Sequence, residues 1–280
     1  MPLPAAERLA PGTRVGPCRI QAYAGRGASA EVYRAWHEPA ACAVALKLMP
    51  PRADEHPGSA SAEIRATGAL DHPDIVRLID TGREGSRDWM ALEWAPGYDL
   101  SRYLTRARQL PEPVVLELIE RLAAALGYAH RQGVLHRDIK PSNIRLDLPA
   151  RSIKMTDFGI ARAMDPTQTA TGVIQGTPAY MAPEQLAGHA ADAATDLYSL
   201  TVVAFELLTL RRPHQAETMG QLLRAIATEP APRLRTLRPD LPEALDLWMA
   251  RRLSRRRDER PCDAKAWSEE LSALRLSWPR

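Results

Sequence analysis

His136-Arg137-Asp138-Ile139-Lys140-Pro141-Ser142-Asn143 is the stretch on which the reading of this chain turns. A His-Arg-Asp triplet by itself is most often a surface ion pair. Here a lysine follows the aspartate by two residues and an asparagine follows it by five, a set that a solvated loop does not require. The lysine carries weight because the chain has so few. Of 37 basic residues only Lys47, Lys140, Lys154 and Lys265 are lysine, and the rest are arginine. A compact ammonium on a flexible stem does different chemistry from a planar guanidinium fork, so each lysine in such a chain asks for a reason.

Around this stretch lie 280 residues of 30.9 kDa, room for one or two domains. With 45% hydrophobic and 25% charged residues the composition is globular, which excludes a mainly disordered or fibrous chain. The formal charge of +3 is made of interspersed signs and argues against a nucleic-acid partner. The one basic run, Arg251-Arg252-Leu253-Ser254-Arg255-Arg256-Arg257, has no interleaved aromatic residues and reads as a solvated helix end and loop. Cys18, Cys42 and Cys262 have neither CxxC spacing nor a nearby histidine cluster, so free thiols in a reducing cytoplasm are expected. The apolar stretch Leu197 to Leu210 is broken by Ser199, Thr201, Glu206 and Thr209 and is too short to span a bilayer. The opening Met1 to Glu7 lacks the basic and apolar regions of a secretory signal. The expectation is a cytoplasmic location with no membrane segment in this chain.

Cys18 to Leu48 reads as three short strands with a turn, Gly25-Arg26-Gly27, between the first two. A Pro, Gly and Ser cluster at Pro57 to Ser61 leads into a helix-like segment, Ala62 to Leu70, and Ile75 to Ile79 and Trp89 to Trp94 read as further strands. From Pro111 the period changes: Val115, Leu118, Ile119, Leu122, Ala125, Leu126 and Ala129 recur at helical spacing, predicting an amphipathic helix to about Arg131. Ala193 to Leu208 is apolar on nearly every face, the pattern of a helix buried inside a lobe. Helical segments near Thr218 to Thr228, Leu241 to Leu253 and Asp263 to Leu276 complete the chain. A strand-rich first third joined near Ala95-Pro96-Gly97 to a helical remainder is an α+β arrangement.

Eight features fall in one order: Gly25-Arg26-Gly27 with Val32, Val44-Ala45-Leu46-Lys47, Glu63, His136-Arg137-Asp138 with Asn143, Asp157-Phe158-Gly159, Ala182-Pro183-Glu184, Asp196 and Arg260. In this order and at these separations the sequence resembles the eukaryotic-like protein kinase family, and the bacterial serine/threonine kinases in particular, over roughly Gly16 to Leu276. The resemblance implies a two-lobed kinase fold. It comprises an extension over residues 1–15, a small antiparallel β-sheet lobe with one helix over about 16–94, a hinge at about 93–97, and a larger, mainly α-helical lobe over about 98–277.

It also implies roles. Asp138 would orient a substrate hydroxyl and accept its proton, Lys140 would neutralise the phosphoryl group in transit, and Asn143 with Asp157 would hold magnesium, or manganese in its place. Lys47 would reach the α- and β-phosphates of ATP, paired with Glu63, which stands nine residues before His72. The glycine-bearing turn, Ala24, Gly25, Arg26, Gly27, Ala28, Ser29 and Ala30, would bring backbone N–H groups to phosphate oxygens. Ala30 replaces the family's third glycine, and tuned affinity rather than lost binding is expected from it. Val32 would cover the adenine, Ala45 and Leu146 would sandwich it, and Leu92 would control the back of its pocket. Glu93 and Ala95 would offer it backbone hydrogen bonds, and Asp99 would meet the ribose.

Thr169 and Thr171 are candidate autophosphorylation sites, with Arg137 placed to pair with the added charge, and Thr177 would shape the acceptor site. Glu184 and Arg260 fit a buried ion pair, and Asp196 would hold the catalytic-loop backbone. His136 and Phe158 are expected in a core rather than on substrate. Expected partners are protein substrates carrying Ser or Thr, and a second copy for phosphorylation in trans.

Two rivals differ in class. A small-molecule phosphotransferase of related fold would share Asp138, Asn143 and Asp157 but would not need Ala182-Pro183-Glu184 and Thr177. A pseudokinase acting as a docking module would normally lack one of Lys47, Asp138 or Asp157, and all three are present. A GTPase reading fails because no Gly-x-x-x-x-Gly-Lys-Ser/Thr run exists.

Overall fold

The computed structural model describes residues 8–26, 30–51, 68–158, 178–261 and 263–276. Gly27, Ala28, Ser29, Glu63, Thr169, Thr171, Thr177 and Cys262 lie outside the described residues, as does the helix expected at Ala62 to Leu70 up to its last three residues. The chain divides into two compact units, Met1–Asp71 with Val76–Ala95, and His72–Ile75 with Pro96–Arg280.

The first unit is a six-stranded antiparallel sheet of β1 (Arg14–Val15), β2 (Cys18–Arg26), β3 (Glu31–His37), β4 (Cys42–Leu48), β5 (Leu78–Glu84) and β6 (Arg87–Glu93), in the order β1-β2-β3-β4-β6-β5. Alternation assigns its faces. Tyr33, Ala35, Val44, Leu46, Leu48, Trp89 and Ala91 join Val15, Cys18 and Ile20 in one apolar cluster. β3 also turns a polar residue inward at each end, and both are paired, as buried polar groups must be. Glu31 accepts hydrogen bonds from Arg87 at 3.1 Å and from the Tyr33 hydroxyl at 3.3 Å. His37 Nε2 lies 3.0 Å from Asp80 Oδ2 while its Nδ1 accepts from the Ala40 N–H. Gly16 and Gly82 flank Trp89 so closely that a Cβ at either would lie 2.6 or 2.5 Å from the indole.

One strand differs from the sequence expectation. The segment read as Ile75 to Ile79 pairs only from Leu78, and Ile75 makes a single bridge to Met155. Ile75 and Val76 are apolar because they are buried at 1% and 4% exposure, not because they join the sheet. β5 itself is a half-exposed edge strand, Leu-Ile-Asp-Thr-Gly-Arg-Glu, whose composition carries little strand signal.

The second unit holds α1 (Glu112–Arg131), α2 (Pro183–Leu186), α3 (Ala193–Thr209), α4 (Met219–Thr228), α5 (Leu234–Leu237), α6 (Glu243–Arg252) and α7 (Ala264–Leu276). α3 is buried without interruption from Ala194 to Leu208 and packs on α1, whose other neighbour is α7. Asp192 caps α3 by accepting from the Thr195 N–H at 3.1 Å, and Thr218 caps α4 in the same way. A three-stranded sheet, β7 (Tyr98–Asp99), β8 (Ile144–Asp147) and β9 (Ser152–Met155), was not anticipated, because strands of two to four residues carry too few positions to show a period. No helix among the described residues is long and apolar enough to cross a membrane.

The basic run behaves as a solvated helix end with one exception. Arg251, Arg255, Arg256 and Arg257 are exposed, with Arg255 donating to carbonyls at the end of α4 and Arg256 pairing with Asp258. Arg252 is buried at 1% exposure over the Trp248 ring and beside Trp267, which meets Trp248 edge-on, and it pairs with Glu270 at 2.7 Å. Burial pulls its pKa down to about 10. An arginine's charge hides this at the sequence level, since its stem and planar head pack against aromatic faces as readily as they meet water.

Candidate active site

The loop between α1 and β8 folds back on Asp138. Its Oδ2 accepts hydrogen bonds from Lys140 Nζ at 2.7 Å and from Asn143 Nδ2 at 3.0 Å. The Asn143 amide also donates to the Asp138 carbonyl at 2.8 Å. With both bonds made by Nδ2, the Asn143 side chain has one orientation, and its Oδ1 is turned the other way as an oxygen donor. The Asn143 carbonyl in turn accepts from the Thr156 N–H at 2.8 Å and the Thr156 hydroxyl at 3.1 Å, so Asp157 is held one residue from Asn143's backbone.

Two residues here take left-handed backbone conformations that cost a non-glycine residue roughly 1–2 kcal/mol: Arg137 at φ 66° and Asp157 at φ 69°. Such strain persists only where surroundings over-determine it, and those surroundings are visible. Asp196, in the first turn of α3 and 1% exposed, accepts from the His136 N–H at 2.9 Å and the Arg137 N–H at 2.8 Å, and meets His130 Nε2 at 2.8 Å. Gln185 of α2 donates to the Arg137 carbonyl. His136 Nδ1 accepts from the Asp138 N–H, which leaves the proton on Nε2, and Nε2 donates to the Thr156 carbonyl at 2.9 Å. The His136 ring packs 4.5 Å from that of Phe158, and both are buried. Glu184 and Arg260 form an ion pair of 2.6 Å at 7% and 2% side-chain exposure, with the second carboxylate oxygen accepting from Thr195.

His130, Gln185 and Thr195 were not singled out in the sequence. Polar residues on the inward faces of α1, α2 and α3 were the available signal. Glu206, which interrupts the apolar stretch of α3, is another buried charge. Burial pushes its carboxyl above the usual range, against a 2.6 Å hydrogen bond from the Tyr180 hydroxyl that favours the charged form.

In the first unit, the register sets Gly25, Val32, Lys47 and Met90 side by side across β2, β3, β4 and β6. Ala45 and Leu92 form the next row on the same face, which is opposite the one bearing Val44, Leu46 and Leu48. Lys47 is 9% exposed there. Ala24 and Arg26 are exposed on β2, and Ala30 is half-buried. Leu92 and Ala95 are buried, and Glu93 accepts from the Arg77 N–H through its side chain. In the second unit Asp99 Oδ1 accepts from the Ser101 N–H, and Leu146 is 1% exposed.

The donor set fits a hard divalent cation. Asn143 Oδ1 and the Asp157 carboxylate are oxygen donors on segments joined by the Thr156 bonds. Among the described residues no group of three or more His, Cys, Asp and Glu side chains is arranged around a metal. Two protein oxygens completed by phosphate and water is the mode magnesium takes, whereas calcium collects a larger cage.

Comparison with known proteins agrees with this arrangement. Residues 19–269 match the family model described as protein kinase domain. The chain is 34% identical over 272 residues to serine/threonine-protein kinase pkn3 of Myxococcus xanthus, covering 91% of this chain and 49% of that protein. It is 36% identical over 239 residues to serine/threonine-protein kinase PknA of Mycobacterium tuberculosis, covering 82% and 54%. The chain thus spans about half the length of these curated relatives. Among solved structures, Rad53 1-466 in complex with AMP-PNP superposes with a TM-score of 0.76 at 24% identity, over 93% of this chain and 65% of that one, a likeness of fold. A carboxylate gripped by Lys140 and Asn143, a strained Asp157 beside it and a match over nearly the whole chain place this protein in the protein kinase domain family.

Proposed function

We propose that this chain transfers the γ-phosphoryl group of ATP to serine and threonine hydroxyls of protein substrates, in the cytoplasm. The observation that carries the reading is the grip on Asp138: Lys140 at 2.7 Å and Asn143 at 3.0 Å, both on Oδ2. That grip orients the carboxylate and assigns Oδ1 to the incoming hydroxyl, whose proton it accepts as the oxygen attacks phosphorus. The Lys140 ammonium stands beside the reacting oxygen and offsets negative charge on the group in transit. Asn143 Oδ1 and Asp157 hold magnesium or manganese, which supplies electrostatic stabilisation of the phosphate oxygens when bound. Lys47 binds the α- and β-phosphates with Glu63 as its anion, and the glycine-bearing stretch from Ala24 to Ala30 serves the phosphates. Val32, Ala45, Leu92, Glu93, Ala95, Asp99 and Leu146 serve the base and ribose. Thr169 and Thr171 are the autophosphorylation sites, modified in trans by a second copy, and Thr177 selects a serine or threonine acceptor.

The test is incorporation of phosphate from magnesium-ATP into the protein and a generic protein substrate, wild type against Asp138→Asn, with modified residues mapped. Labelling of Thr169 or Thr171 by wild type and silence of the variant supports the reading. ATP binding without any protein labelling would overturn it in favour of a docking module or a small-molecule phosphotransferase.

A further inference from the structure

The loop from Ser254 to Glu259 joins Leu253, just past α6, to Arg260, and both of these flanking residues are buried. At its start the half-buried Ser254 donates its hydroxyl to Glu259 Oε2 at 2.6 Å and accepts from the Arg256 N–H at 3.2 Å. Arg256 Nε reaches Glu259 Oε1, the other oxygen of the same carboxylate, at 3.2 Å. Ser254 and Arg256 therefore hold one anion between them. Three more exposed arginines, Arg251, Arg255 and Arg257, stand within three residues of the hydroxyl. Arg255 is tied to carbonyls at the end of α4 and Arg257 to Asp192, so Arg256 is the one bonded to Ser254.

We propose that Ser254 is a phosphoacceptor, modified in trans by a second copy of this chain, and that Arg256 holds its phosphate in the place Glu259 occupies. This rests on the kinase reading. In the step the Ser254 oxygen bonds to the γ-phosphorus of ATP and the bond from that phosphorus to the ADP oxygen breaks. The hydroxyl proton passes to the Asp138 carboxylate of the copy acting as enzyme. The phosphoryl group removes the hydrogen that Ser254 donates to Glu259 and sets about two negative charges against that carboxylate, which expels it. Arg256 then exchanges a carboxylate for a phosphate, a doubly charged partner that its planar fork matches. The loop yields readily, because residues 255–259 are exposed and the pairs of Arg256 with Asp258 and Glu259 are surface pairs. Ser254 is joined directly to buried Leu253, which keeps it from reaching Asp138 of its own chain and makes the transfer one between copies.

The first measurement mixes the full chain with its Asp138→Asn variant, a generic protein substrate and magnesium-ATP, and maps phosphate on the variant, which serves as acceptor only. Phosphate on Ser254 of the variant is the expected result. Labelling of the generic substrate or of other residues while Ser254 stays bare overturns this inference and leaves the kinase reading standing. No labelling of any protein overturns both. The second measurement installs phosphoserine at position 254 by genetic encoding and follows its phosphorus resonance against pH, with and without Arg256→Ala. A free phosphoserine titrates at about pH 6. Beside Arg256 it should titrate lower by about half a pH unit, because a neighbouring cation favours the doubly charged form, and Arg256→Ala should return it toward the free value. A phosphate that titrates at the free value in the otherwise wild-type chain, or that Arg256→Ala does not move, overturns the assignment of Arg256 as its holder.

Discussion

Two carboxylate–cation pairs in the second unit have nearly equal lengths and very different surroundings. Lys140 meets Asp138 at 2.7 Å with side chains 16% and 32% exposed, and Arg260 meets Glu184 at 2.6 Å with side chains 2% and 7% exposed. The buried pair is closed: Arg260 takes one carboxylate oxygen of Glu184 and Thr195 takes the other. On Asp138 both side-chain bonds fall on a single oxygen. Distance therefore does not separate a structural ion pair from a reactive one. Exposure and the disposition of the second oxygen do, because a carboxylate that is buried with both oxygens engaged presents neither of them to a substrate.

The contrast predicts a crossed pattern of losses. Asp138→Asn should lower phosphoryl transfer about a thousandfold, the scale of a lost general base, while the urea midpoint stays close to wild type. A large shift in that midpoint would mean that Asp138 is structural after all. Arg260→Met should do the reverse, lowering stability by about 3–5 kcal/mol in urea unfolding by leaving Glu184 charged and buried. Pairing it with Glu184→Gln should recover part of that loss, and a double variant no more stable than Arg260→Met would show that the pair is not coupled. Asp196→Asn lies between the two patterns. It weakens three bonds to a buried carboxylate, so roughly 1.5–3 kcal/mol of stability and a matching loss of activity are expected together.

A smaller effect involves pH. Burial pushes the His214 pKa below its ordinary 6.5, and its Nε2 has no hydrogen-bond partner among the described residues. Below pH 6.5 the unfolded chain binds a proton that the folded chain refuses, so stability falls as the pH drops from 6.5 to the folded pKa. Replacing it by His214→Phe should flatten the stability profile over that window, read by thermal unfolding at pH 5 to 7. The smallest expectation concerns the solvated arginines: Arg256→Ala should leave the thermal midpoint unchanged, since both it and Asp258 are exposed.

Legibility from sequence follows the same division. α1 was readable because a helix of 20 residues repeats its buried face several times, and α3 because its 17 residues are apolar on nearly every face. The cluster at Asp138 was readable because Asp138, Lys140 and Asn143 lie within six residues, and one short loop brings them together. Arg252 was misread as solvated and β5 misplaced, since burial was set by packing rather than by composition: against the Trp248 and Trp267 rings in one, by the position at the sheet edge in the other. Four residues of β8 do not declare which face is buried, and the choice becomes visible only in the pairing with β7 and β9.

The sequence by itself determined the chemistry available, an acid, an ammonium and an amide at spacings of two and five, and the long helices whose periodicity is internal to them. Only the tertiary structure decided which charges are buried and which oxygen of each carboxylate is engaged. It also decided which face of each short strand is polar. Some of these properties depend on neighbours far away in the chain, as Glu184 and Arg260 are 76 residues apart, which local patterning does not encode.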